Sequence, residues 1–311
     1  MVALTIFEAG KSAYNPKFNQ TSFSFSHNLA GNPLFERPRL IELAKRGLAE
    51  RGPGSLHWMT SEAPVDAKWN VPVFTQKEKV AEAIANLETA KSWVLLLDVQ
   101  RDPEYRALLD RVMSEIETEL PRSEITWQEA YIFMASPHSV TPYHIDHSAT
   151  FLFQIHGERL ANIWNGNDGS VLTDPEIENY YVGDLGAATY KPENQSKADV
   201  YELSPGKGVH HPVRAPHWFK NGDTFSIAFG VHFFIRRHDQ QAKVYQINHL
   251  LRGYGLNPTP PGQSAWRDGV KTSTLSVLSK RNPQTKNELL RSGINRMRRP
   301  LNLMQKLKRK R

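Results

Sequence analysis

From about Glu124 the hydrophobic period of this chain changes to two, and no other feature restricts its fold as much. Successive side chains on a strand point to opposite faces, so a period of two marks half-buried strands, whereas a helix repeats every 3.6 residues. Residues 127–135, 149–155, 160–165, 187–190 and 224–235 read as strands separated by Gly, Asn, Asp and Pro turns. Many short strands with such turns predict a β sandwich or barrel. The chain upstream differs. Residues 37–51 carry Leu40, Leu43, Ala44 and Leu48 at helical spacing and stop at Gly52-Pro53. A second helix is predicted over 76–87, with Thr75 as N-cap and Glu78 as capping-box partner. A third opens at Asp102-Pro103 and runs to about Leu120, with Leu108, Val112, Ile116 and Leu120 on one stripe. Between these two helices, 92–99 reads as a buried strand.

Downstream come a helix over 241–251, a Pro/Gly-rich linker over 253–269, and weak helical patterns near 288–297 and 301–307. The predicted class is α+β, mainly β, in three parts. Residues 1–121 form a mixed α/β region packing on the core, 122–238 the core, and 239–311 a C-terminal helix, linker and basic tail.

Charge is divided unevenly between these parts. The chain carries a formal +7, yet residues 271–311 hold 13 Lys/Arg against one acid, Glu288, which leaves 1–270 at −5. The basicity belongs to the tail. Clusters such as Arg296-Met-Arg-Arg299 and the run from Lys306 to Arg311 suit weak contact with nucleic acid, and equally a solvated tail or contact with an acidic membrane surface or the acidic body of the same protein. No nucleic-acid-binding motif accompanies them. The chain has no cysteine, which removes disulfides, thiolate metal sites and cysteine nucleophiles. No apolar run approaches the roughly 18 residues of a transmembrane segment. The start, Met1 to Gly10, does not resemble a secretory signal, so a cytoplasmic location is expected.

Within the strand region, Thr141-Pro-Tyr-His-Ile-Asp146 places His144 and Asp146 two residues apart. On an extended strand both side chains project from one face, within reach of one ion, while His147 points away. The pair alone is also what a polar strand end looks like. A second stretch, Ala215-Pro-His-Trp-Phe-Lys-Asn221, offers His217 as a third ligand, with His210 and His211 as rivals. Two histidines and one carboxylate occupy one face of a metal and leave the other open, the arrangement that suits non-haem Fe(II) with a cosubstrate and dioxygen. The strand Phe225-Ser-Ile-Ala-Phe-Gly-Val-His232 follows, with Ser226, Ala228, Gly230 and His232 on one small, roomy face that suggests a cavity. Arg159 opens the strand returning from the Gly157-Glu158 turn, and a guanidinium grips a carboxylate through two parallel hydrogen bonds. Thr141 and Thr150 add hydroxyl donors. Tyr143, Trp164, Trp218 and Phe219 either wall a substrate site or pack the barrel.

Taken in order, Thr141-Pro-Tyr-His-Ile-Asp146, Gln154-Ile-His-Gly-Glu-Arg159 and Pro216-His-Trp-Phe-Lys-Asn221 resemble the JmjC, cupin-like 2-oxoglutarate oxygenases over residues 122–238. The nearest pattern is the branch containing the asparaginyl hydroxylase of hypoxia signalling. The resemblance implies a double-stranded β-helix (cupin jelly roll) core and a 2-oxoglutarate-dependent dioxygenase, a hydroxylase. It implies Fe(II) on His144, Asp146 and His217, with 2-oxoglutarate and dioxygen as cosubstrates. The family's cosubstrate threonine falls on Thr141 and its cosubstrate lysine on Arg159; its two asparagines fall on Thr150 and His232. Those last three positions are departures, and they put the shape of the cosubstrate pocket in question.

The substrate implied is a small molecule or a protein. A metal-binding cupin acting as sensor or isomerase is the rival reading, and a regulator contacting nucleic acid through its tail is a third. The 241–251 helix suits either a homodimer interface, as in relatives, or simple packing on the barrel.

Overall fold

Alternation over the core builds two antiparallel sheets facing each other. The computed structural model describes residues 5–8, 18–68, 77–117 and 120–308. Its strands are β1 (Phe23–Ser26), β2 (Leu56–Thr60), β3 (Ser92–Leu96), β4 (Ile125–Ala135), β5 (Val140–His144), β6 (Ala149–His156), β7 (Arg159–Ile163), β8 (Asp199–Leu203), β9 (Lys207–His211), β10 (His217–Asn221) and β11 (Ser226–Ile235). Its helices are α1 (Arg37–Arg51), α2 (Lys77–Ala85), α3 (Pro103–Ile116), α4 (Asp174–Val182), α5 (Arg236–Gly253), α6 (Ala265–Leu278) and α7 (Lys286–Lys308). The larger sheet runs β1-β9-β6-β11-β4-β3-β2 and the smaller β5-β10-β7-β8. This is a cupin-like jelly roll with helices at both ends.

β11 lies at the middle of the larger sheet and is buried on both faces. Ile227, Phe229, Val231 and Phe233 turn outward into an aliphatic and aromatic core completed by Leu40, Leu43 and Leu48 of α1 and Leu108, Leu109 and Val112 of α3. Ala228 turns inward, toward the smaller sheet. The helices therefore cover the outer face of the sheet, and β1, β2 and β3 extend its edges. At roughly 25 cal/mol per Å², burial of this kind is the main term holding the layers together.

Several expectations need correction. Residues 187–190 form no strand. They follow α4 in a loop where Asp184 accepts from the Gly186 amide, and Ala188 packs in a second core with Tyr180 and Tyr181. The intervening α4 has a full capping box, Thr173 with Glu176, and Pro175 in its first turn. β8 and β9 went unpredicted because the exposed run Asp199-Val-Tyr-Glu carries no clean alternation. The third helix ends at Ile116, short of Leu120. The Thr75 cap lies outside the described residues. The helix predicted over 241–251 is α5, longer at both ends and packed against α4, α6 and α7.

The tail differs most. It folds back as α6 and α7, crossing where Ile294 and Leu275 are fully buried and Gly293 lies against the Leu275 carbonyl. Several of its cations are engaged with the body: Lys271 donates to Asn248, Lys286 pairs with Glu129, and Arg291 donates to the Tyr180 carbonyl. No helix among the described residues is long and apolar enough to cross a membrane.

Burial of histidines away from the candidate site sets an acid limit. Burial lowers His27 to about 4, and His210 and His238 to about 3. Their folded-state values lie below the unfolded value near 6.5, so this stability is complete above about pH 6.5 and is lost as pH falls toward 3. By pH 5 each histidine costs up to about 2 kcal/mol. Urea titrations of metal-free protein at pH 7.5 and 5 should show the midpoint falling; an unchanged midpoint contradicts the buried neutral histidines.

Candidate metal centre

β10 pairs with β5 on one side and β7 on the other, and His144 and His217 stand directly opposite in that register. Asp146 follows β5, its carbonyl accepting from the Arg214 amide at 2.8 Å, which ties the loop after β5 to the turn before β10. Asp146 Oδ2 lies 3.7 Å from His144 Nε2 and 3.8 Å from His217 Nε2. One ligand atom from each of the three lies within 4.8 Å of the others.

Each imidazole is aimed by its second nitrogen. His144 Nδ1 meets the Pro142 carbonyl at 2.8 Å and His217 Nδ1 the Ala215 carbonyl at 2.9 Å. An Nδ1 proton given to a carbonyl leaves Nε2 as a lone pair, the form a metal ligand needs. Burial, and next the neighbouring His144, lower His217 to about 3. Burial also lowers His144, against the pull of Asp146. Burial pushes the Asp146 carboxyl up, but the surrounding histidines outweigh it and hold it below its usual value. At neutral pH the set is therefore two neutral imidazoles and a carboxylate, the protonation state metal binding requires. Metal–ligand bonds of about 2.1 Å place neighbouring donors roughly 3.0–3.5 Å apart. The observed spacing is a few tenths wider, and no hydrogen bond closes it. The donor set fits a divalent ion held on one face.

The triad opens into a cavity of ≈ 410 Å³ between the sheets. Arg159 projects into it from β7 and is 4% exposed. Its guanidinium lies 4.7 Å from the ring centres of both Phe133 and Phe219, and donates from Nη2 to the Thr141 hydroxyl at 3.3 Å. Among the described residues no carboxylate pairs with it, and its Nε has no partner. Burial lowers it to about 10, so it remains a cation at pH 7. A buried unpaired charge is costly, and such positions are usually completed by an anion.

Of the residues singled out from sequence, His144, Asp146, His217, Thr141, Arg159 and His232 all line this cavity, and so does the rival ligand His211. Thr150 is fully buried on β6, its hydroxyl 3.5 Å from that of Ser148. His210 faces the other way, among Phe18, Phe23 and Phe151, with Nδ1 on the Thr150 carbonyl. His147 is fixed between Tyr181 and Asp239, at 2.8 Å from each. Phe219 lines the cavity, while Tyr143, Trp164 and Trp218 belong to a core behind it.

Several cavity residues escaped the sequence reading, Tyr131, Glu129 and Lys286 among them. Tyr131 lies on β4 opposite Gly230, and a Cβ on Gly230 would come within 2.0 Å of its ring, so the small face of β11 exists to seat this tyrosine. Glu129, two residues before it, accepts from Trp127 Nε1 at 3.2 Å and sits 3.5 Å from His232 Nδ1. Lys286, at the start of α7, reaches Glu129 at 2.6 Å and closes the cavity mouth together with Leu290 and Arg291. Burial raises the Glu129 carboxyl, but Lys286 and His232 outweigh it and hold it well below the carboxylate range. An aromatic alternating with acids toward β11 was the only available signal for Tyr131. Nothing local marks Lys286.

No protein-family model matches the chain, and no curated protein matches it. Solved structures do. An X-ray structure of Escherichia coli ycfD aligns at a TM-score of 0.51 and 16% identity, covering 96% of this chain and 69% of that one. A second, described as the ribosomal oxygenase YcfD from Escherichia coli in complex with cobalt and 2-oxoglutarate, aligns at 0.49 and 15% identity, covering 94% and 67%. At these identities the likeness is one of fold.

Proposed function

We propose that this chain is an Fe(II)- and 2-oxoglutarate-dependent oxygenase, a hydroxylase acting on an unactivated C–H of a protein residue or small molecule. The observation that carries this reading is one cavity that joins an open-faced His/Asp/His set to a buried guanidinium that has no carboxylate partner among the described residues. His144, Asp146 and His217 would hold the iron. Iron so held supplies dioxygen activation coupled to oxidative decarboxylation of 2-oxoglutarate. Residues 122–238 would be the catalytic core; the 1–121 flank contributes the outer helices and sheet edges, and the 239–311 flank closes the cavity mouth.

The protein's own contribution is positioning. Arg159 would grip the distal carboxylate of 2-oxoglutarate in a bidentate pair, with the Thr141 hydroxyl already oriented by its Nη2. Tyr131, on β4 of the larger sheet, presents a second hydroxyl from the facing wall, and burial raises its pKa so that it stays a donor. Phe133 and Phe219 sandwich the guanidinium and keep water from competing for it. Thr150 and His232 lie on the opposite sheet, His232 facing the metal set across the cavity. A metal-binding cupin acting as sensor or isomerase accounts for the triad but not for Arg159.

The test is spectroscopic. Under anaerobic conditions, 2-oxoglutarate added to the Fe(II)-loaded protein should give a visible charge-transfer band, and with dioxygen and fractionated cell extract, succinate should be released. A folded, iron-loaded protein that shows no band overturns the assignment.

A further inference from the structure

One cavity imidazole has no role in this scheme. His211 ends β9, is 2% exposed, and its ring centre lies 4.3 Å from that of His217 at an interplanar angle of 35°. Among the described residues neither of its ring nitrogens forms a hydrogen bond, whereas His144, His147, His210 and His217 are each held by one or more. His211 lines the cavity, so its ring nitrogens, with no protein partner there, are available to a bound ligand. His211 is also not within ligand distance of the full triad, which groups only His144, Asp146 and His217.

The sheet register says what it faces. Thr150 on β6 pairs with His211 on one side and with His232 of β11 on the other. The three stand in one lateral row on the inward face of the larger sheet, at roughly 4.8 Å per strand. The row continues to Glu129, opposite His232 on β4. Thr150 is short and does not itself line the cavity, so His211 and His232, two strands apart, bound a recess in this row. The metal ligands and Arg159 come from the smaller sheet, so the recess forms the other wall of the cavity. Arg159 is committed to the distal end of the cosubstrate. The group beside His211 is whatever shares the metal with His217.

We propose that His211 is a cosubstrate-binding residue, donating a ring N–H hydrogen bond to the metal-chelating carboxylate of the 2-oxo acid, across Thr150 from His232. This rests on the oxygenase reading. It explains why an imidazole is tolerated without a protein partner: its partner arrives with the cosubstrate.

Two variants separate the roles. His211→Phe keeps a ring against His217 but has no donor, and His211→Asn keeps a donor without the ring. Calorimetric Co(II) binding and the anaerobic Fe(II) band titrated with 2-oxoglutarate are both measured, with thermal unfolding as the folding control. His211→Phe should bind metal within about threefold of the parent and 2-oxoglutarate about tenfold or more weakly, while His211→Asn recovers most of the loss. Equal 2-oxoglutarate affinity in parent and His211→Phe overturns the proposal. Loss of metal from His211→Phe as deep as from His144→Ala also overturns it, by making His211 a ligand. A parent protein that takes up iron but gives no band removes the oxygenase reading itself.

Discussion

Replacing Arg159 with Met should make the ligand-free protein more stable and its 2-oxoglutarate binding far weaker. The two effects have one cause. The guanidinium is buried at 4% exposure, has no carboxylate among the described residues, and carries an Nε with no partner. Removing a buried charge from water is costly, and replacing it by an apolar side chain of similar length is commonly stabilising by about 1–4 kcal/mol. The rings of Phe133 and Phe219 at 4.7 Å return only part of that cost. With 2-oxoglutarate bound the sign reverses, because truncating one partner of a buried hydrogen-bonded charge pair costs about 2–5 kcal/mol, or roughly 30-fold and upward in affinity. Arg159→Lys should fall between, keeping charge but losing the bidentate fork. Metal affinity should hardly change in either variant. Thermal unfolding without ligand and band titration with it check both halves. A destabilised Arg159→Met protein with unchanged 2-oxoglutarate affinity would reduce Arg159 to a packing residue.

This trade of stability for function also explains what the sequence could and could not reveal. His144 and Asp146 were legible because strand parity is local: two residues apart means one face, whatever the fold. His217 and Arg159 were legible for similar reasons, since each sits beside a turn signal that fixes where its strand begins. The small face of β11 suggested a cavity, but only His232 of its four residues lines one: Ala228 packs in a core and Gly230 lies under the Tyr131 ring. Tyr131 meets Gly230 through a register between strands nearly a hundred residues apart in sequence.

Lys286 was only counted in the basic tail and not singled out, because charge density is a property of the segment. Its pairing with Glu129 depends on α6 and α7 folding back, a separation of 157 residues. The 187–190 segment misled for the opposite reason: its apolar residues serve a loop packed under α4, where burial needs no period.

The largest effect on the centre should come from its three proposed ligands, and the contrast with His147 makes that result specific. His144→Ala, Asp146→Ala and His217→Ala should each lower Fe(II) or Co(II) affinity by more than about 100-fold, since even residues that only orient metal ligands are worth about 10- to 100-fold. Each should leave the fold intact, because the donors at 3.7 and 3.8 Å do not bond one another and the two imidazoles are hydrogen-bonded locally, each to a carbonyl two residues away. His147 is one residue from Asp146 and more deeply buried, and it bonds Tyr181 and Asp239 at 2.8 Å, joining the loop after β5 to α4 and α5. His147→Ala leaves those partners unsatisfied and should cost about 1–3 kcal/mol in urea unfolding, with metal affinity retained by the folded fraction. The two neighbours thus divide the observables, one governing the ion and the other the fold. Metal loss from His147→Ala matching that from His144→Ala, at temperatures where both are folded, would mean the ion is held by a different set of histidines.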